Sequence, residues 1–258
     1  MTMLLKDKVC LIAGAASRRG IGFATARLFA EHGAKVVMID IAMDDGAVAD
    51  LRAELATHAQ KDADILGMRC DITQFDDCKR VVGEVVARHG RIDCLVNSAG
   101  IVRGTPLLDI QEADYDLILD VNLKGAFNLC KSVLPVMVEC KSGAIVNLAS
   151  AAAQRGGGLV GGAHYAASKG GVISLTRTIA REFGVSGIRA NVICPAMIET
   201  SMLDGLSEDR VRDIIEAIPL KRTGEPKEAA GVCLFLASEL SGFVTGATVD
   251  VNGGSHIH

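Results

Sequence analysis

The sequence predicts a doubly wound α/β fold, a seven-stranded parallel sheet with helices on both faces, as one domain over residues 1–258. Three observations carry that prediction. Short runs rich in Val, Ile and Leu recur along the chain, segments with three-to-four apolar spacing fill the intervals, and the short runs are apolar at consecutive positions. A strand apolar at every position must be covered on both faces, as a parallel strand between crossover helices is.

In chain order the strands are expected at 8–14 (KVCLIAG), 34–40 (AKVVMID), 63–71 (ADILGMRCD), 92–100 (IDCLVNSAG), 143–150 (GAIVNLAS), 188–196 (IRANVICPA) and 247–254 (ATVDVNGG). Between them, GFATARLFAEHG (22–33) and CKRVVGEVVARHG (78–90) have helical periodicity and each closes on a glycine, the residue that most easily takes the left-handed turn ending a helix. Two stretches break the alternation, 151–164 and 197–215. Each follows the carboxyl end of a strand, where open α/β sheets bind ligands, and both are expected to be substrate loops.

Composition narrows the function. A chain of 258 residues, 49% of them hydrophobic, has material for one large core. A net charge of −4, 3% aromatic residues and no Trp exclude the basic surface and stacking platforms of a nucleic-acid binder. The eight Cys form no C-x-x-C pair and sit mostly in apolar runs, so they are expected as core thiols in a reducing compartment. The first residues lack a signal-peptide layout, because Lys6, Asp7 and Lys8 interrupt the apolar run. No stretch reaches the ~18 apolar residues of a membrane span, and the expectation is a cytoplasmic protein with no membrane partner. No metal site is expected. His256 and His258 form an H-x-H at the end of the sequence and read as an exposed tail.

The first strand runs into AGAASRRGIG, which puts Gly14, Gly20 and Gly22 at a strand-to-helix turn. Glycines there let backbone N–H groups approach a pyrophosphate, which the helix N-terminus also favours. In a Rossmann-like sheet that turn holds a dinucleotide, and Ser17, Arg19 and Ile21 of the same loop are assigned to it. Asp40 ends the second strand, 18 residues beyond Gly22. A carboxylate there accepts both hydroxyls of the adenosine ribose and repels a 2′-phosphate. Arg18 and Arg19 could instead welcome that phosphate. The position of Asp40 decides for NAD over NADP.

Tyr165 and Lys169, in HYAASKGG (164–171), are four apart and share one face of a helix. A cation beside a phenol favours the phenolate, which suits the pair to acid–base work.

Together with NSAG (97–100), VNLKGAF (121–127), IVNLAS (145–150) and YAASK (165–169), the chain resembles the short-chain dehydrogenase/reductases over nearly its whole length. The resemblance implies Asn122 as the active-site amide holding a proton-relaying water, Ser150 as the substrate-orienting hydroxyl and Tyr165 as the general acid/base. It implies Lys169 as the residue that binds the nicotinamide ribose and lowers the tyrosine pKa. Asp71 and Ile72 match the adenine side, and Asn97, Ala99 and Gly100 match the segment lining the cofactor. Pro195, Ile198 and Thr200 match the stretch that contacts the carboxamide and pyrophosphate. It also implies a homotetramer or homodimer, with helices from 112–139 and 163–184 packed across one interface.

The sequence departs from the family pattern at several places. Five residues separate Gly14 from Gly20 where most members have three; some enoyl-thioester reductases carry a similar loop, but their Tyr and Lys lie farther apart. The spacing here favours carbonyl chemistry over double-bond reduction. Ala13, Ser98 and Ala196 replace a usual Thr, Asn and Gly, and Ser150 and Tyr165 lie two residues farther apart than usual. Among carrier-protein 3-oxoacyl reductases, Lys141 fits a basic docking position near the entrance, while Ser186 stands where an Arg is usual. Gln154, Arg155 and His164 are expected as polar contacts, which favours a sugar, polyol or other small hydroxylated substrate. The alternatives are a 3-oxoacyl-thioester reductase and, in another class, a non-catalytic dinucleotide-binding scaffold or sensor.

Overall fold

A computed structural model describes residues 3–59, 63–157, 160–205 and 207–257. His258 lies outside the described residues. The seven strands are β1 (Val9–Ala13), β2 (Lys35–Asp40), β3 (Ile65–Arg69), β4 (Cys94–Asn97), β5 (Gly143–Leu148), β6 (Ile188–Pro195) and β7 (Thr248–Val251). They form one sheet in the order β3-β2-β1-β4-β5-β6-β7, with every pairing parallel. Each lies inside its expected run, because the runs include turn residues that leave the ladder.

β1 shows why consecutive apolar residues are needed. All five of its residues are buried. Cys10 and Ile12 point into one core with Phe23, Phe29, Cys233 and Leu236, while Val9, Leu11 and Ala13 point into the other with Val81, Leu129 and Ile179. The first core is covered by α1 (Ile21–Glu31), α2 (Asp45–His58) and α9 (Pro226–Ala237); the second by α3 (Phe75–His89), α5 (Gly125–Cys140) and α7 (Ala163–Phe183). Gly33 and Gly90, the glycines expected to close α1 and α3, have φ of +83° and +74°.

The remaining helices shape the site. α4 (Glu112–Leu119) continues into α5 through a π-helical turn at Asp120–Lys124. The two expected loops are partly helical: the first contains α6 (Ala152–Arg155) and the start of α7, the second a 3-10 turn at Ser201–Leu203 and α8 (Glu208–Ala217). Ser207 caps α8 by accepting from the Arg210 N–H, a signal read only once the helix is known. Among the described residues, no helix is long and apolar enough to cross a membrane.

Candidate active site

The carboxyl ends of the strands open into a cavity of about 540 Å³. Its lining contains Gly14, Ser17, Gly20, Ile21 and Asp40 at one end, and Asp71 and Ile72 beside them. Ala99, Gly100, Ser150, Tyr165 and Lys169 line the middle, with Pro195, Ile198 and Thr200 on the far wall.

The glycine-rich turn is built for close approach. Gly14 has φ +76°, and a Cβ there would fall 2.5 Å from the Ala99 nitrogen. Gly22 lies behind the turn, where a Cβ would meet the Gly14 oxygen at 2.3 Å. Gly22 therefore seats α1 against the turn and does not line the cavity. Asn97 is also behind it, paired with Ala13 in the sheet, and its buried Oδ1 has no hydrogen-bond partner among the described residues. Asp40 accepts from the Ala16 N–H at 3.2 Å and the Ala42 N–H at 3.1 Å, which fixes its carboxylate at the rim. A floor of backbone that admits no side chain, ending at an anchored carboxylate, fits a dinucleotide.

The two arginines of the loop are occupied. Arg18 pairs with Glu54 of α2 at 2.8 Å. Arg19 makes a two-pronged contact with Asp204, 3.0 Å on each arm, and so joins the glycine-rich turn to the second loop rather than lining the cavity.

Tyr165 and Lys169 are on one face of α7, as the spacing requires, with Nζ 6.0 Å from the phenol ring centroid. Burial pushes the Tyr165 phenol above its ordinary value, opposed by a hydrogen bond with Ser150. Lys169 is 5% exposed and donates to the Leu148 carbonyl at 2.9 Å. Burial draws its ammonium down to about 8. In this structure desolvation of the phenol dominates over the Ser150 hydrogen bond, and the expected lowering of the tyrosine by Lys169 is not seen.

Asn122 sits in the π-helical turn, whose widened backbone directs its amide back toward the β4 end of the site. Its Oδ1 accepts from the Ile101 N–H at 2.8 Å, and its Nδ2 donates to the Ile101 carbonyl at 2.9 Å and to Ser168 Oγ at 3.1 Å. Ser168 in turn donates to the Tyr165 carbonyl. The side chain is a clamp between the β4 loop and α7, and both of its ends are taken by protein. Gly100 closes this corner, since a Cβ there would meet Asn122 Oδ1 and Lys169 Nζ at 3.1 Å each.

Of the three polar candidates in the first loop, only Arg155 lines the cavity. Gln154 donates to Asp250 of β7 at 2.7 Å. His164 is 2% exposed and outside the cavity. The cavity walls on this side are instead Ile101, Val102, Val121, Val160, Met197 and Leu203. No motif marks these residues; they meet only because three loops converge. Lys141 precedes β5, so it lies at the amino edge of the sheet, opposite the cavity mouth of its own chain. The expected place near the entrance is not met within the chain.

A buried ammonium with a depressed pKa makes stability depend on pH. The unfolded chain holds this proton more tightly, so the penalty is full below about 8 and disappears as pH rises toward the ordinary value of 10.5. Compared with Lys169→Met, the native chain therefore gains about 3 kcal/mol between neutral pH and the top of that window. Denaturant unfolding of both proteins across the window measures it, and a constant difference refutes it.

Fold and site together define a dinucleotide-binding oxidoreductase. A family model described as enoyl-(acyl carrier protein) reductase matches residues 14–256, and the chain belongs to the short-chain dehydrogenase/reductase family. It is 44% identical to an uncharacterised short-chain type dehydrogenase/reductase of Sinorhizobium fredii, covering 99% of this chain and 100% of that one. It is 43% identical to the 3-oxoacyl-[acyl-carrier-protein] reductase FabG of Thermotoga maritima, over 98% of this chain and 99% of that one. The crystal structure of levodione reductase superposes with a TM-score of 0.90 at 34% identity, covering 97% of this chain and 98% of that one. The chain is accordingly an oxidoreductase of CH–OH donors that binds a nicotinamide cofactor and acts on small molecules.

Proposed function

We propose that the protein is an NAD(H)-dependent enzyme interconverting a small secondary alcohol and its ketone, with mostly apolar carbon flanking the reacting centre. The observation that carries this reading is the Ser150–Tyr165–Lys169 group at the floor of an apolar cavity continuous with the glycine-rich turn. Bound nicotinamide dinucleotide supplies the hydride acceptor or donor and, when oxidised, a positive charge that favours the phenolate. Tyr165 Oη takes the hydroxyl proton in oxidation and returns it in reduction, a role worth ~10²–10⁴-fold. Ser150 hydrogen-bonds Tyr165 and holds the same substrate oxygen. Lys169 carries the cofactor ribose, and Asn122 holds the loop beneath it.

The sugar or polyol expected from the sequence loses its support, because Gln154 and His164 face away and the walls are aliphatic. The Tyr–Lys spacing of four favours carbonyl over enoyl reduction. A second reading, 3-oxoacyl-thioester reductase, is favoured by the identity to proteins named for that activity and by the same apolar wall. Exposed Tyr115, Leu117 and Phe127 on α4 and α5 support association of these helices with a second copy.

NAD is favoured because Asp40 faces the ribose position and both arginines that could bind a 2′-phosphate are paired. Asp40→Asn keeps the shape and removes the charge. We expect it to raise kcat/KM for NADPH relative to NADH by roughly tenfold to a hundredfold, since like-charge juxtaposition costs several kcal/mol. The function itself is tested by kcat/KM for aliphatic and alicyclic ketones, polyols and 3-oxoacyl thioesters with both cofactors. Preference for ketones with NADH supports the proposal; preference for thioesters with NADPH replaces it with the second reading.

A further inference from the structure

Resting on the proposed alcohol–ketone reading, we propose that Arg155 is the specificity residue for an oxyanionic group on the substrate, a carboxylate carried by an apolar chain. Among the described residues, Arg155 is the one charged side chain in the substrate half of the cavity lining; the other charged lining residues are Asp40 and Asp71 at the adenosine end and Lys169 at the catalytic floor. Among the described residues its guanidinium has no ion pair or hydrogen bond, unlike Arg18 and Arg19.

Its place relative to the reacting centre is built, not incidental. α6 is tied at one end by the Ser150 hydroxyl, which accepts from the Ala152 N–H at 3.1 Å, and near the other by Gln154 on Asp250. Gly156 turns the chain with φ +86°, and a Cβ on Gly157 would meet the Gly161 oxygen at 2.4 Å. A Cβ on Gly161 would meet the Tyr165 ring at 2.3 Å. Gly161 thus lies flat against the catalytic tyrosine, and Arg155 lines the same cavity.

Chemistry then selects the ligand. Arg155 makes the substrate half cationic, and among the described residues no carboxylate lines that half to balance it. A guanidinium fork matches a carboxylate or phosphate in two hydrogen bonds, and aliphatic walls match the chain between that anion and the carbinol. The substrate class is therefore a hydroxy or oxo acid of apolar skeleton.

The test is calorimetric titration of the protein loaded with NADH, using hexanoate, hexanamide and hexyl phosphate, on the native chain and on Arg155→Met. The native chain should bind hexanoate roughly tenfold tighter than hexanamide, the discounted value of a charge-assisted bond to an exposed arginine. The preference should vanish in Arg155→Met and partly return in Arg155→Lys. Tighter binding of hexyl phosphate, lost in the same variant, keeps the oxyanion site and assigns it to a phosphate source. Equal binding of acid and amide to the native chain, or a preference that survives in Arg155→Met, overturns the proposal. Because no turnover is needed, absence of activity on every alcohol and ketone refutes the enzymatic reading separately.

Discussion

Tyr165→Phe should lower kcat by about 10²–10⁴-fold while leaving NADH affinity nearly unchanged. The substitution removes one oxygen from a side chain that is 9% exposed, so packing is retained. What it removes is the group that exchanges the proton with the substrate oxygen. Ser150 remains, but a serine hydroxyl without a base beside it cannot take up that proton at neutral pH. Burial holds the phenol above its ordinary pKa, so alcohol oxidation in the native chain should accelerate as pH rises and ketone reduction should slow. Steady-state rates in both directions, with NADH binding measured separately, check the prediction. A variant that retains a tenth or more of native kcat would show that another group carries the proton.

Gly161→Ala should be nearly as damaging, although this residue bears no functional group. Its Cβ would sit 2.3 Å from Tyr165 Cδ1 and 2.8 Å from Cγ. The ring, held by Ser150, must shift or the strap must lift. A displacement of about 1 Å at a reacting group costs roughly a hundredfold in rate, and the overpacking costs about 1–3 kcal/mol of stability. The effect should fall on kcat more than on cofactor affinity, because the glycine-rich turn lies on other strands. Native kcat in a folded Gly161→Ala protein would mean that the strap does not position Tyr165.

Much of this architecture is legible in the sequence because it follows from local chemistry. β1 is readable from VCLIA, a short apolar run that ends at a glycine-rich turn and has all five residues buried. Gly14 is readable from its place after that strand, and Tyr165 and Lys169 from a spacing that one helix turns into one face. The substrate side is not legible in the same way. Ile101, Val121 and Leu203 meet through convergence of separate loops, and aliphatic residues carry no motif. Gln154 and His164 are polar and near Tyr165 in sequence, yet the rotation of α6 and α7 sends one to β7 and buries the other. The Arg19–Asp204 contact joins positions 185 residues apart, beyond any periodicity. The π-helical turn that aims Asn122 comes from a register change between α4 and α5 that the apolar pattern does not encode.

The most direct measurement is deuterium transfer from reductively deuterated NADH to a ketone, read by mass spectrometry of the alcohol formed. With the native chain the label should appear on the carbinol carbon of an aliphatic or alicyclic alcohol, and with Tyr165→Phe it should fall to background. Tight NADH binding with no label transferred to any ketone or thioester would contradict the account, and would make the protein a dinucleotide-binding scaffold or sensor.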